Sequence, residues 1–94
     1  MIVVHDIFVC KPGNASKLAK LFKDNMGGEG KQIAVMTDVT GQFHRVIMAS
    51  WHENLTAYEK AMEEMKDMMP EIKAAFANMN DMYISGSREI YKVW

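Results

Sequence analysis

The sequence has little of what secreted, membrane-spanning or nucleic-acid-binding proteins need. Its 94 residues include one cysteine, Cys10, so no intrachain disulfide can form, whereas small secreted domains usually carry several. No run approaches the roughly 18 consecutive apolar residues that span a bilayer. Eleven basic and twelve acidic residues give a net charge of −1, which argues against nucleic acid and polybasic membrane binding, because both require clustered positive charge.

The N-terminus, Met-Ile-Val-Val-His-Asp, also lacks the basic region of a signal peptide. We therefore expect a cytoplasmic protein with neither nucleic-acid nor membrane partners. What is present is typical of a globular protein, since 49% of residues are hydrophobic and 24% are charged. The length fits one domain over residues 1–94. Ten methionines are either core filler or the walls of an adaptable pocket or interface.

Apolar periodicity and the turn residues predict six elements in the order strand, helix, strand, strand, helix, strand. The predicted strands are residues 1–10, 31–39, 43–51 and 82–94, the first helix runs from Asn14 to a stop at Gly27-Gly28, and the second occupies much of residues 54–79. Either Asn54 or Thr56 caps the second helix. Pro70 predicts a kink or a restart within it, and Gly86 predicts a bulge or a bend in the last strand.

This order predicts an α+β, ferredoxin-like βαββαβ fold with antiparallel sheet order 4-1-3-2 and both helices on one face. The first and third strands carry apolar residues at both alternating positions. The face without helices would therefore expose a large apolar patch. The simplest way to cover it is a second copy of the chain, so the sequence predicts a homodimer that packs sheet against sheet.

The chain resembles the dimeric α/β-barrel superfamily in its element order, in the Lys11-Pro12-Gly13 opening of its first helix and in its doubly apolar strands. The resemblance implies two ferredoxin-like chains whose sheets close into a barrel. Members include cofactor-free antibiotic-biosynthesis monooxygenases, haem-degrading monooxygenases, isomerases and stress-responsive barrels, so fold does not decide function. Haem-degrading members use a histidine on the second long helix, and residues 54–79 contain none. We therefore expect no haem, and no other cofactor or metal.

The cofactor-free monooxygenases use an asparagine, a tryptophan and an arginine. Asn25, Trp51 and Arg45 have these side chains, but they do not match the family pattern by position, so no role is carried over. His5, within an apolar strand, is either a core histidine or a group that faces a cavity and acts as a general base. We interpret His44 and His52 as surface residues at strand ends. Their spacing predicts no shared metal.

Two further pairs lie on neighbouring strands of the predicted sheet. Asp6 and Arg88 occupy strand centres and are expected to interact, either as a structural ion pair or as the polar end of a ligand cavity. Cys10 and His44 lie at the same end of the sheet, where a thiolate–imidazole pair is conceivable but has no visible activating group.

Aromatic residues suggest a binding site between sheet and helices. The predicted ligand-binding residues are Trp51, Tyr58, Phe76, Tyr83 and Arg88, with Met62 and Met65 as adaptable walls and His5 as the candidate catalytic base. This set predicts a site for a planar apolar small molecule, in a cofactor-independent monooxygenase or isomerase. The alternatives are a plain aromatic core and a non-catalytic ligand-binding or stress-related barrel protein.

Overall fold

A four-stranded antiparallel sheet with the order β2-β3-β1-β4 forms the centre of the structure. The computed structural model describes residues 1–25, 33–67 and 77–94. The elements are β1 (Ile2–Cys10), α1 (Ala15–Asn25), β2 (Ile33–Thr37), β3 (Arg45–His52), α2 (Leu55–Asp67), a short 3₁₀ helix (Met79–Asp81) and β4 (Tyr83–Lys92). This architecture confirms the predicted βαββαβ order and the 4-1-3-2 sheet.

An asparagine immediately precedes each helix, Asn14 before α1 and Asn54 before α2. The carbonyl of Asn14 accepts from the Leu18 amide at 3.0 Å, and Gly13 has φ +83°, which lets the chain turn out of β1. At α2, Asn54 Oδ1 accepts from the Ala57 amide at 2.8 Å. Asn54 is therefore the N-cap, and Thr56 already belongs to the first helical turn. The predicted stop at Gly27-Gly28 and the predicted restart at Pro70 lie outside the described residues.

The β2–β3 connection is longer than predicted, since β2 ends at Thr37 and β3 starts at Arg45. Gly41 and His44 have φ of +110° and +63°. Left-handed backbone does not continue a pleated strand, so residues 38–44 form a loop. The Arg45 amide donates to Asp38 Oδ1 at 2.8 Å, which joins the two ends of this loop.

The predicted bulge lies two residues before Gly86. Val9 pairs with Ser85 whereas Cys10 pairs with Tyr83, which leaves Ile84 as the extra residue. At Gly86 itself the pairing is regular, since it is the register partner of Phe8, and a Cβ there would lie at an ordinary van der Waals distance of 3.6 Å from the Phe8 ring.

The buried core lies between α1 and the sheet. Cys10, Leu18, Phe22 and Val46 form its fully buried centre, and the Phe8 and Phe22 ring centroids are 5.2 Å apart. Leu18 and Phe22 are the buried residues of α1 and lie one turn apart, on the same face of that helix. In the described residues, no helix combines the length and apolarity that crossing a membrane requires.

Candidate functional site

The two faces of the sheet have different neighbours. Phe8 contacts Phe22 of α1, so the even-numbered residues of β1 face the helices. The odd-numbered residues face the other side, which we call the open face. The register assigns these strand residues to the open face: Val3, His5, Ile7, Val9, Ala34, Met36, Arg45, Ile47, Ala49, Trp51, Ser85, Ser87, Glu89 and Tyr91.

An ion pair lies at the centre of the helix-covered face. Asp6 and Arg88 are register partners on β1 and β4, and Arg88 Nε donates to Asp6 Oδ1 at 2.5 Å. This contact confirms the predicted interaction. The Asp6 side chain is 16% exposed and that of Arg88 is 47% exposed, so the carboxylate is the more desolvated partner. The hydrogen bond from Asp6 raises the pKa of Arg88, which stays cationic.

Tyr58 extends from the first turns of α2 toward this ion pair. The Arg88 guanidinium carbon lies 5.7 Å from the centroid of the Tyr58 ring, within cation–π range. The Tyr58 hydroxyl oxygen is buried and has no hydrogen-bond partner among the described residues. Burial is the largest cause of the raised pKa of Tyr58. Tyr58 therefore offers a neutral hydroxyl that can donate to, or accept from, a further group.

His52 and Ser50 of β3 extend the cluster, and the sequence reasoning missed both. His52 Nε2 and Ser50 Oγ are hydrogen-bonded at 2.9 Å, and the His52 ring packs edge-on against Tyr58 with centroids 5.0 Å apart. The interpretation of His52 as a surface residue is therefore wrong, because its ring is half-buried against α2. The missed signal was alternation, since both residues share a face with the buried Val46.

The predicted ligand-binding residues do not all converge. Tyr58 and Arg88 come together, whereas Tyr83 packs on Phe8 with centroids 5.2 Å apart, beside the α1 core. Trp51 is the register partner of Val3 and lies on the open face. A wall that joins Trp51 to Tyr58 within one chain is thus not formed, because the two side chains lie on opposite faces of the sheet. Phe76 lies outside the described residues.

His5 also lies on the open face, so it does not face the space between sheet and helices. Its ring packs edge-on against Tyr91, with centroids 5.4 Å apart. The Tyr91 hydroxyl donates to a carboxylate oxygen of Glu89, and this hydrogen bond is the largest cause of the raised pKa of Tyr91. His5, Tyr91 and Glu89 therefore form a small polar group on an otherwise mostly apolar face.

The structure does not support a thiolate nucleophile at Cys10. Its thiol is buried, and burial raises its pKa, which favours the uncharged form. His44 approaches through its backbone, because its carbonyl accepts from the Cys10 amide at 2.7 Å. The His44 side chain is exposed. The Cys10 thiol therefore contributes to the core rather than to a reactive pair.

The cluster of Asp6, Arg88, Tyr58, His52 and Ser50, which we call the polar cluster, combines a cation, a neutral hydroxyl and an aromatic wall. Such groups can orient a planar molecule with one polar substituent. Within the described residues, no three histidine, cysteine or carboxylate side chains are grouped as metal ligands would be. A solvent-facing groove also lies between α1 and β2, lined by Ala19, Lys20, Lys23, Asp24, Val35 and Thr37.

Comparison with known proteins identifies the fold. No family model and no curated protein matches the chain. Among solved structures, an uncharacterised NIPSNAP-like domain protein from Burkholderia xenovorans is similar at 19% identity and TM-score 0.79, over 99% of this chain and 84% of that one. A NIPSNAP family protein from Agrobacterium tumefaciens is similar at 16% identity and TM-score 0.78, over 97% and 90%.

A protein from Deinococcus radiodurans, described as a candidate antibiotic biosynthesis monooxygenase, is also similar. It is 14% identical with TM-score 0.67, over 100% of this chain and 93% of its own. At these identities the likeness concerns the fold alone. The chain therefore has the ferredoxin-like fold of these proteins, as the resemblance to the dimeric α/β-barrel superfamily implied.

Proposed function

We propose that this protein binds a planar apolar small molecule, with one polar substituent, between the sheet and α2. The observation that most supports this is the Tyr58 hydroxyl, which is buried without a hydrogen-bond partner among the described residues. Leaving a buried polar group unpaired costs about 1–3 kcal/mol. A carbonyl or phenolic oxygen on a ligand would satisfy the hydroxyl and recover that free energy.

Arg88 supplies the second polar contact of the proposed site. A guanidinium has five N–H donors, and the Nε donor of Arg88 is used by Asp6. The remaining donors suit an anionic or carbonyl oxygen, and the 47% exposure of the side chain leaves them accessible. The half-buried Met62 and Met65 of α2 are adaptable apolar neighbours. Phe76 stays a predicted wall of this site, whereas Tyr83 packs beside the α1 core and is not part of it.

Cofactor-independent oxygenation or isomerisation is the chemistry that we propose if the site is catalytic. The similarity to the Deinococcus protein supports this proposal at the level of the fold. His5 lies on the opposite face of the sheet from the polar cluster, so it cannot be the base for a ligand held between the sheet and α2. It stays a predicted base only for a separate ligand held between the sheets of two copies. The rival is a non-catalytic ligand-binding protein. It is favoured by the engagement of Asp6 with Arg88 and by the neutral Tyr58, because neither group is a free base.

A thermal-shift screen tests binding at the polar cluster. We would screen aromatic polyketides, quinols and fatty acids against the wild type, Tyr58→Phe and the matched control Tyr91→Phe, which makes the same change on the open face. A ligand present at 100 times its Kd adds about 2.7 kcal/mol of stability. We expect a compound that raises the Tm of the wild type and of Tyr91→Phe, and raises that of Tyr58→Phe distinctly less. If no compound in the screen raised the Tm of the wild type, the result would count against any small-molecule role.

The open face supports a second part of the proposal, a homodimer that packs sheet against sheet. Met36, Trp51 and Tyr91 of this face are exposed, and Ile7 and Ile47 lie between them at the centre. A second copy would remove this apolar area from water. Light scattering should give twice the 10.7 kDa chain mass, and Ile47→Glu should shift the protein toward monomer. A wild-type mass of one chain at micromolar concentration would overturn the dimer.

We also propose that the protein is cytoplasmic. A buried, unpaired thiol at Cys10 is compatible with a reducing cytoplasm. Fractionation of cells that express the full chain would test this, and recovery in the secreted or membrane fraction would contradict it.

A further inference from the structure

Among the described strand residues, the open face carries one basic side chain that is always charged and one carboxylate. The cation is Arg45 on β3 and the carboxylate is Glu89 on β4. Arg45 Nε is buried and has no hydrogen-bond partner within the described residues, and the guanidinium forms no ion pair there. The carboxylate shown beside Arg45 is that of Asp38, which accepts the backbone amide of Arg45 rather than its guanidinium. A partly buried guanidinium without its own anionic partner is unfavourable, so an anionic group from outside the described part of the chain would stabilise it.

The strand register relates these two charges through the centre of the face. Arg45 is opposite Val9 and Glu89 is opposite His5, on the two strands that flank β1. Ile7 lies midway between Val9 and His5 on β1. Arg45 and Glu89 are therefore each one strand and two residues from Ile7, in opposite directions. Suppose that two copies pack sheet against sheet around a two-fold axis that passes above Ile7, at right angles to the line from Arg45 to Glu89. This axis brings Arg45 of each copy over Glu89 of the other copy.

We propose that Arg45 of one protomer pairs with Glu89 of the partner subunit, twice in each dimer, with Ile7 at the two-fold axis. This inference rests on the proposed sheet-to-sheet dimer and specifies its geometry. In a two-fold interface a contact from one residue to a second is repeated in reverse. One cation and one carboxylate on each copy thus neutralise each other without any further partner.

The pair selects the orientation of the two sheets. Apolar contacts between sheets are non-directional, so several orientations would bury similar area. Orientations that place Arg45 against its own copy, or Glu89 against its own copy, juxtapose like charges and are disfavoured. Glu89 already accepts the Tyr91 hydroxyl on one carboxylate oxygen. Its second oxygen is available to the guanidinium.

Charge reversal tests the pairing by analytical ultracentrifugation of the full chain. Arg45→Glu alone and Glu89→Arg alone should each raise the dimer Kd about tenfold or more, because each places like charges together. The double variant should return to within about threefold of wild type. Lys17→Glu and Glu59→Lys, which reverse exposed charges on α1 and α2, should leave the Kd unchanged. Single reversals without effect, or a double variant no better than the worse single one, would overturn the pairing.

Cysteine cross-linking tests the same geometry with smaller side chains, in case a reversal prevents folding. In a Cys10→Ala background, Arg45→Cys with Glu89→Cys should form a disulfide-linked dimer under mild oxidation. Within one chain these Cα atoms are about 17 Å apart from the strand spacing and rise, too far for an intrachain bridge. Arg45→Cys alone should not cross-link. A dimeric protein that does not cross-link would overturn the pairing alone, and a monomeric wild type would overturn both it and the dimer.

Discussion

The two helices cover the same face of the sheet, but they enclose different chemistry. Beneath α1, Leu18 and Phe22 pack on Cys10 and Val46 in a dry core with almost no solvent exposure. Beneath α2, Tyr58 contacts Arg88 of β4 and His52 of β3, and Arg88 is paired with Asp6 of β1.

The residues under α1 and those under α2 thus differ in what they contribute: the apolar core stabilises the fold, and the polar side chains have groups that a ligand could contact. A close-packed apolar core contributes free energy in proportion to the area that it buries. A polar cluster contributes little, because the hydrogen bonds and ion pairs formed replace those made with water. The unpaired Tyr58 hydroxyl lowers the stability of the free protein. A ligand that formed a hydrogen bond with it would recover this free energy on binding. The α1 half therefore supplies most of the stability, and the α2 half holds the site where we propose that a ligand binds.

The largest expected effect lies in the α1 half. Leu18→Ala should lower the free energy of unfolding by about 2–5 kcal/mol, because it removes fully buried methyl groups and leaves a cavity. Urea unfolding at fixed protein concentration measures the loss. The matched control is Leu55→Ala at the exposed start of α2, where we expect a change within about 0.5 kcal/mol. If both variants lost the same free energy of unfolding, the α1 half would not be the main source of stability.

An intermediate effect is expected at the ion pair of the α2 half. A double-mutant cycle with Asp6→Asn and Arg88→Met should give a coupling energy of about 1–2 kcal/mol. This value lies between those of exposed and buried pairs, because half of the Arg88 side chain is screened by solvent. Denaturant unfolding of the four proteins supplies the cycle. Additive effects of the two substitutions would show that the contact contributes nothing.

The smallest expected effect at neutral pH is at Tyr58. Tyr58→Phe should be neutral or stabilising by up to about 1 kcal/mol, because it removes an unpaired buried hydroxyl. The variant should differ from wild type in alkali. Since the pKa of Tyr58 is raised in the folded state, the unfolded state loses this proton first. The free energy of unfolding is therefore unaffected by this group below the ordinary tyrosine pKa of about 10 and falls as the pH rises from there through the folded value.

Wild-type stability should therefore fall more steeply than that of Tyr58→Phe above about pH 10. Urea midpoints between neutral and alkaline pH provide the measurement, and Tyr83→Phe, which retains Tyr58, is the control. Parallel curves for wild type and Tyr58→Phe would mean that Tyr58 does not remain protonated in the folded protein.

The sequence by itself determined the order of the elements and the sheet topology. Branched apolar residues in β1, the helical spacing of Leu18 and Phe22 and the Pro12-Gly13 break are local signals, and the crossover rule then allows few arrangements. Pairing Asp6 with Arg88 followed from that topology, because each residue lies at the centre of its strand. These features depend on the chain order and on side-chain alternation, both of which can be read from the residues.

Only the tertiary structure decided which side chains share the site. Trp51 and His52 are adjacent in sequence, yet alternation places Trp51 on the open face and His52 against Tyr58. A register shift of one residue exchanges the two faces. The register of β3 depends on the loop at residues 38–44, where His44 has a left-handed backbone. A histidine in the sequence does not predict that conformation. The unpaired Tyr58 hydroxyl likewise results from how α2 packs on the sheet, because burial depends on distant neighbours rather than on local sequence.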